Sequence, residues 1–269
     1  MQAPGFEVIE FRPRATKYCL CIPVINEGAR LKEQLLKIRD RALDADVVVV
    51  DGGSTDGSTD PALLSELRIR TLLVETSGTG VSRQLQAAFA YGLNEGYQGI
   101  VTIDGNNKDD INAVPAFIEQ LDRGVDLVQG SRFAPGGRAI NTPISRLFGI
   151  KLVHAPLVSL AAGFRYHDTT NGFRAYSRSL LQHADVQPFR RVFSGYELLW
   201  YLNVRAPRTG HRVVEVPVIR RYPERSKIPT KISPVAGKLK VLLEVLKVFR
   251  GKLDPAPVHT SHARKATPE

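Results

Sequence analysis

Cysteine is scarce in this chain: Cys19 and Cys21 are the only two among 269 residues. They stand two apart in an apolar run, where a strand turns both toward one face, too close in sequence for an ordinary structural bridge. A disulfide-dense secreted scaffold is therefore excluded, and the pair reads as buried thiols in a reducing cytosol. No run of 18 uncharged apolar residues occurs and no basic, apolar leader opens the chain, so a membrane-spanning protein is not expected. Several signatures are missing as well. The first predicted strand is followed by PVINEG rather than G-x-G-x-x-G, and neither a G-x-x-x-x-G-K-[ST] loop nor a G-x-S-x-G elbow is found. A dinucleotide-dependent oxidoreductase, a P-loop phosphotransferase and a serine hydrolase lose their sequence basis.

What is present is 43% apolar and 24% charged residues in a mixed alphabet, enough for one large globular domain or two small ones. Lysine and arginine number 37 against 27 aspartates and glutamates, a formal net charge of +10. Such a surface attracts anions: nucleic acid, anionic lipid or a phosphorylated small molecule. The aromatics are not interleaved with the basic residues as a base-stacking platform requires, so nucleic acid is not an expected partner.

Along the chain, YCLCIPV (18–24) predicts a strand and the leucine spacing in 28–40 a helix. A valine strand at 47–50 runs into DGGSTDGST, followed by a short helix near 61–67 and a strand at 69–74. A helix over 81–93, a strand at 99–103 ending on Asp104, a helix over 111–121 and a strand at 125–128 continue the alternation. Continuous apolar strands alternating with helices predict a mostly parallel α/β sheet covered on both faces, a single domain of Rossmann-like type. Ligands of such sheets sit at the carboxyl ends of the strands. Asn26-Glu27, Asp51 to Asp56 and Asp104 to Asp110 each follow directly on a strand, which aims three polar clusters at one rim. The divisions read as an extension at 1–16, the domain at 17–231, a basic amphipathic helix at 232–252 and a disordered tail at 253–269, whose His259 and His262 read as solvent-exposed.

IPVINE, VVVVDGGSTDGS, SGTGVSRQLQAAFAYGL, VTIDGNN, VQGSRF and DTTNGFRAYSR occur in that order between about Cys19 and Lys231. Together they resemble the inverting GT-A glycosyltransferases of family 2, specifically the branch that includes dolichyl-phosphate mannose synthase. The resemblance implies transfer of a hexose-type sugar from a nucleotide-diphosphate sugar to an acceptor, with polyprenyl phosphate as the expected one. A hydroxyl acceptor and a non-catalytic nucleotide-sugar-binding homologue are the alternatives. It also implies a cytoplasmic protein in peripheral contact with the inner leaflet.

By that resemblance Glu27 and Asp51 line the nucleoside pocket, with Pro23, Asn26 and Gly80 shaping it. Acceptor-only carboxylates suit a base and ribose, although Asp51 also suits a role in ordering its own turn. The family's metal motif, Asp-x-Asp, reads here Asp104-Gly105-Asn106, so Asp104 and Asn106 are the expected ligands of Mg2+ or Mn2+. An amide brings no charge, and Lys108, two residues on, suits direct contact with the diphosphate. Asp109 and Asp110 suit caps of the following helix. Arg132 of GSRF and Arg174 of GFR are expected to flank an acceptor phosphate, and the basic loop with Arg220, Arg221, Arg225 and Lys227 to close over the donor. Asp168 is the candidate general base if the acceptor is a hydroxyl, with Glu197 as a lesser substitute. Two stretches, 147–160 and 235–252, suit contact with lipid or ordinary packing on the sheet.

Overall fold

The computed structural model describes residues 5–76, 78, 80–223 and 236–256, and of residues 236–242 the backbone alone. In chain order the elements are β1 (Phe6–Glu10), β2 (Tyr18–Val24), α1 (Ala29–Arg41), β3 (Asp46–Asp51), α2 (Pro61–Glu66), β4 (Thr71–Glu75), α3 (Val81–Asn94) and β5 (Gly99–Thr102). A short 3-10 turn leads into α4 (Val114–Asp122), followed by β6 (Leu127–Ser131), β7 (Arg138–Ile140) and α5 (Ile144–Phe148). A π-helical stretch at Gly149–His154 joins α5 to α6 (Ala155–Ala162), and the chain continues with β8 (Arg174–Ser177), α7 (Arg178–Gln182), α8 (Glu197–Arg208), β9 (Val213–Pro217), β10 (Ile219–Arg221) and α9 (Ala236–Phe249).

The main sheet runs β1-β4-β3-β2-β5-β8-β6-β9, and β10 pairs with β7 in a small second sheet. Strands β4, β3, β2 and β5 are parallel, as are β6 and β9, whereas β1 on the edge and β8 between β5 and β6 are antiparallel. Alternate side chains of the central strands enter two separate cores. Cys19, Cys21, Val48 and Val50 face α3, α7 and α8, while Leu20, Ile22, Val47 and Val49 face α1, α2 and α4. Burial on both faces explains why these strands read as unbroken apolar runs.

The chain leaves β2 for β3 and β4 on one side and returns to β5 on the other. Strand order therefore reverses between β2 and β5, and their carboxyl ends flank a crevice into which loops project, the usual place for a ligand in such a sheet. The antiparallel β8 is not apparent in DTTNGFRAYSR, and β1 lies within the segment set apart from the domain. Strand β6 extends to Ser131, beyond the expected 128, because β8 and β9 hold its two edges. Of the tail read as disordered over 253–269, residues 257–269, with His259 and His262, fall outside the described residues, whereas Leu253 packs against the core and Asp254 lies 3.8 Å from Arg205.

Candidate active site

The loops after β2 and β3 are bonded to each other. Asn26, at a left-handed φ of 50° that asparagine tolerates, accepts the Thr55 amide at 2.8 Å and donates its own amide to Ser54 Oγ at 3.0 Å. The Gly28 amide donates to Asp56 Oδ2 at 2.8 Å. Beneath them Gln84 of α3 donates its Nε2 to the carbonyls of Val24 and Val50, capping both strand ends, and Gly52 is small enough to lie on that amide. The third loop is held through α1: Gln34 donates to the Asp104 carbonyl at 3.0 Å and accepts the Asn107 amide at 2.7 Å. Three loop tips thus meet at the switch point.

Within this frame Glu27 is nearly buried, its carboxylate 2.9 Å from the Arg30 guanidinium one turn along α1. Asp51 turns inward to its own loop: Oδ1 accepts from the Ser54 amide and hydroxyl, and Oδ2 from Thr59 Oγ1. The turn-ordering alternative accounts for both of its oxygens. Pro23 lies within β2 rather than in the loop, at a register where β3 still pairs but β5 has ended, so its missing N–H costs little. Gly80 serves packing, because at its φ of +131° a Cβ would collide with the Ser194 carbonyl.

Asp104 is the centre of the charged array. Its Oδ2 accepts from Arg220 Nη2 at 2.9 Å, and its Oδ1 lies against Gly172, where any Cβ would collide with it. Partial burial opposes the charge, yet Arg220 and then Lys108 hold the Asp104 carboxyl below its ordinary range. The other arm of Arg220 is bonded to the buried Asp109, so Asp109 is an ion-pair partner, while Asp110 caps the 3-10 turn through the Asn112 amide. Asn106 contacts Asp104 Oδ2 through its Nδ2 at 3.5 Å and accepts the Lys108 amide at 3.3 Å on its Oδ1.

Tyr222 follows β10 and gathers cations. Lys108 Nζ lies 5.1 Å from its ring centroid, Arg146 and Arg220 lie over the ring at 5.5 and 5.8 Å, and Arg146 Nη1 also donates to its hydroxyl at 2.6 Å. Burial raises the phenol's pKa, but Arg220, Arg146 and Arg132 outweigh it and draw the pKa down. Neither Tyr222 nor Arg146 is singled out by the sequence: one lies in a basic loop and the other in a mostly apolar helix.

Arg132 and Asp168 form a buried bidentate pair, Nε to Oδ2 at 2.6 Å and Nη2 to Oδ1 at 2.8 Å, with Thr170 Oγ1 on the same Nη2. Burial pushes the Asp168 carboxyl up, and Arg132 more than offsets this and holds it low. Arg174 stands apart from the site. It is fully buried in β8, its guanidinium bonded to the carbonyls of Thr169, Asn171 and Leu199 and to Asn203 Oδ1. The expectation that it flanks an acceptor phosphate is corrected accordingly: the antiparallel strand turns this arginine into the core. Glu197 holds the Gly195 amide. Arg221 is exposed, its amide on the Lys108 carbonyl at 2.8 Å, and Arg225 and Lys227 lie outside the described residues.

The family model "Glycosyl transferase family 2" matches residues 19–184, more than half of the chain. An undecaprenyl-phosphate mannosyltransferase from Micrococcus luteus is 33% identical over 79% of this chain and 86% of its own length. A polyprenol monophosphomannose synthase from Mycolicibacterium smegmatis is 30% identical over 95% of both chains. Among solved structures, the glucosyl-3-phosphoglycerate synthase of Mycobacterium tuberculosis, in complex with Mn2+, UDP and glucosyl-3-phosphoglycerate, superposes with a TM-score of 0.63 at 18% identity, covering 91% of this chain and 87% of that one.

Proposed function

The chain belongs to glycosyl transferase family 2, and from that premise we propose that it transfers a hexose-type sugar from a nucleotide-diphosphate sugar to a polyprenyl phosphate, with inversion at the anomeric carbon. The observation that carries this reading is the meeting of the Glu27, Asp51 and Asp104 loops at the switch point beside a cluster of cations around Tyr222. The carboxylate loops face a nucleoside and the cations face phosphate. The acceptor oxygen attacks the anomeric carbon as its bond to the nucleoside diphosphate breaks, and charge gathers on the departing diphosphate. Fixed cations aimed at that charge stabilise the transition state without reorganising.

The engagement of Asp168 favours a phosphate acceptor over a hydroxyl. Both of its oxygens are spent on Arg132, so it holds that arginine in place instead of removing a proton. An ionised phosphate has no proton to lose and needs no base. Asp104 and Asn106 are the positions at which a divalent cation would meet the donor. Asp104 Oδ2 accepts from Arg220 and the Asn106 carbonyl accepts the Lys108 amide at 3.3 Å, while the Asp104 side chain keeps 37% of its surface exposed and both oxygens keep lone pairs for a cation. Among the described residues no group of three or more His, Cys, Asp or Glu is placed to hold a metal ion.

The acceptor's lipid is met on the helix running from Ile144 to Ala162, long and apolar enough by length and composition to cross a membrane. Ile144, Phe148 and Leu152 recur every fourth residue and are 70%, 60% and 68% exposed, with Leu160 at 73%. Arg146 and the buried His154 tie the same helix to the domain through Tyr222 and Thr169. Spanning a bilayer would break both bonds, whereas lying in the interface keeps them and sets the apolar face against acyl chains. Exposed Lys151 and the chain's net charge complement an anionic leaflet. Helix α9 packs against α6 and α8 with Glu244, Val245 and Val248 buried, which supports ordinary packing for that half of the basic segment.

A transfer assay tests the proposal: radiolabelled nucleotide sugars are presented with polyprenyl phosphate in detergent. Label passing into the organic phase as a sugar phospholipid is the expected result. Transfer confined to soluble hydroxyl acceptors, or none with any donor, overturns it.

A further inference from the structure

We infer that Gln34 of α1 is a positioning residue for the transfer: its side-chain amide sets the Asp104 turn at a fixed place relative to the nucleoside loops. The inference rests on the donor reading above and adds a residue that acts on the reaction only through Asp104.

Gln34 has no exposed surface, and the other buried residues of α1 are Leu31, Leu35 and Ile38. A leucine would fill much the same space, so packing alone does not account for an amide there. Its polar atoms do. Nε2 donates to the Asp104 carbonyl at 3.0 Å and Oε1 accepts the Asn107 amide at 2.7 Å, so one side chain fastens both ends of the 104–107 turn. Deprived of that amide, the two main-chain groups would lose a partner on the side away from water, which costs more than the bonds themselves contribute.

The turn is closed on its other sides as well. Gly105 lies on the end of β2, where a Cβ would collide with Val24, and Gly172 lies against Asp104 Oδ1. Asn107 holds a left-handed φ of 56°, and its side chain accepts from Lys37 Nζ at 2.9 Å and donates to Glu33 Oε2 at 3.0 Å. These last two bonds are exposed, and water replaces such bonds at little cost. The Gln34 amide therefore carries the placement.

Helix α1 also gives that placement its reference point. It starts at Ala29, directly after Glu27 and the Gly28 amide that is bonded to Asp56. From Ala29 to Gln34 the helix rises roughly 7.5 Å, a length that does not flex. One rigid element thus spans from the nucleoside loops to the Asp104 turn. A reacting group displaced by about 1 Å loses on the order of a hundredfold in rate, while contacts made elsewhere to the nucleoside are kept.

Gln34→Leu and Gln34→Met remove the amide and conserve volume, and Asn107→Gly keeps the left-handed turn but removes its exposed ties. In the purified full chain, kcat and KM are measured with polyprenyl phosphate and the donor active in transfer, and UDP and GDP are titrated calorimetrically. Both Gln34 variants are expected to bind nucleotide at wild-type stoichiometry and within about threefold of wild-type affinity, yet to lower kcat by about thirtyfold or more. Asn107→Gly is expected to stay within about threefold of wild type in kcat and KM. Full stoichiometry with a lowered kcat separates a misplaced turn from a loss of folded protein. Wild-type kcat in the Gln34 variants, a kcat that falls only in step with stoichiometry, a failure of both to fold, or an affinity that falls as far as kcat overturns the inference and leaves the donor reading standing. Absence of transfer and of nucleotide binding in the wild type overturns the donor reading and this inference with it.

Discussion

Arg132 and Asp168 face each other across the core as a closed fork, two parallel N–H···O bonds at 2.6 and 2.8 Å between side chains with almost no exposed surface. Thirty-six residues separate them in sequence, and the pair fastens the end of β6 to the loop before β8. A buried fork of this kind contributes little over an apolar isostere while intact, but leaves a stranded charge when one partner is removed.

Asp168→Asn is therefore expected to destabilise the fold by about 3–5 kcal/mol, because Arg132 stays buried without its counter-ion. Urea denaturation read by circular dichroism checks this. If Asp168 acted as a base instead, the variant would lose turnover while its denaturation midpoint stayed in place.

Gly172→Ala sets a methyl group where Asp104 Oδ1 lies. The residue has no left-handed φ, so the backbone tolerates alanine and the strain falls on the carboxylate. Overpacking of this kind costs about 1–3 kcal/mol of stability. Displacing Asp104 from Arg220 is expected to reduce sugar transfer on the order of a hundredfold. Asp104→Ala, which removes the carboxylate without crowding, should match it in turnover while melting closer to wild type; retained activity in both would place the reaction centre elsewhere.

The exposed apolar face of the 144–162 helix makes a third test. Replacing Phe148 and Leu152 together by Ser removes two side chains, each worth about 1.5–3 kcal/mol when buried in an apolar phase. Flotation with anionic vesicles is expected to show a bound fraction for wild type that falls more than about tenfold in the double variant, with the melting temperature unchanged because both side chains are exposed. Equal flotation of the two proteins would remove lipid contact from this face.

His154 predicts how stability responds to acid. Its Nδ1 is paired with Thr169 Oγ1 at 2.6 Å, and its buried Nε2, beside Trp200, has no hydrogen-bond partner among the described residues. Burial, and then the nearby Arg174 charge, push its pKa down from 6.5 to about 4. The unfolded imidazole binds its proton near 6.5 and the folded one near 4, so between those values the unfolded state holds more protons. This contribution to stability is complete above pH 6.5 and is lost as the pH falls, by up to roughly 1.4 kcal/mol per pH unit. Denaturation midpoints measured from pH 7 to pH 4 should decline less steeply in His154→Gln; parallel declines would refute the assignment.

The sequence was most legible where one periodicity ruled. The valine run at 47–50 and YCLCIPV are apolar at every position because the sheet is covered on both faces, and βα alternation then places Glu27, Asp51 and Asp104 at one rim. It was least legible where the chain turns back: β8 is short and antiparallel, so nothing in NGFRAYS told that Arg174 points into the core.

By itself the sequence determined the covered sheet, the polar rim and the basic composition, since these follow from residue type and spacing along one strand or helix. Tertiary structure decided which charges meet. Arg220 lies 116 residues from Asp104 and 111 from Asp109, and Arg146 lies 76 from Tyr222. An ion pair depends on distance in space, falling off over a few ångströms, and only the crossing of β10 under the Asp104 loop and the return of the 144–162 helix bring those groups together.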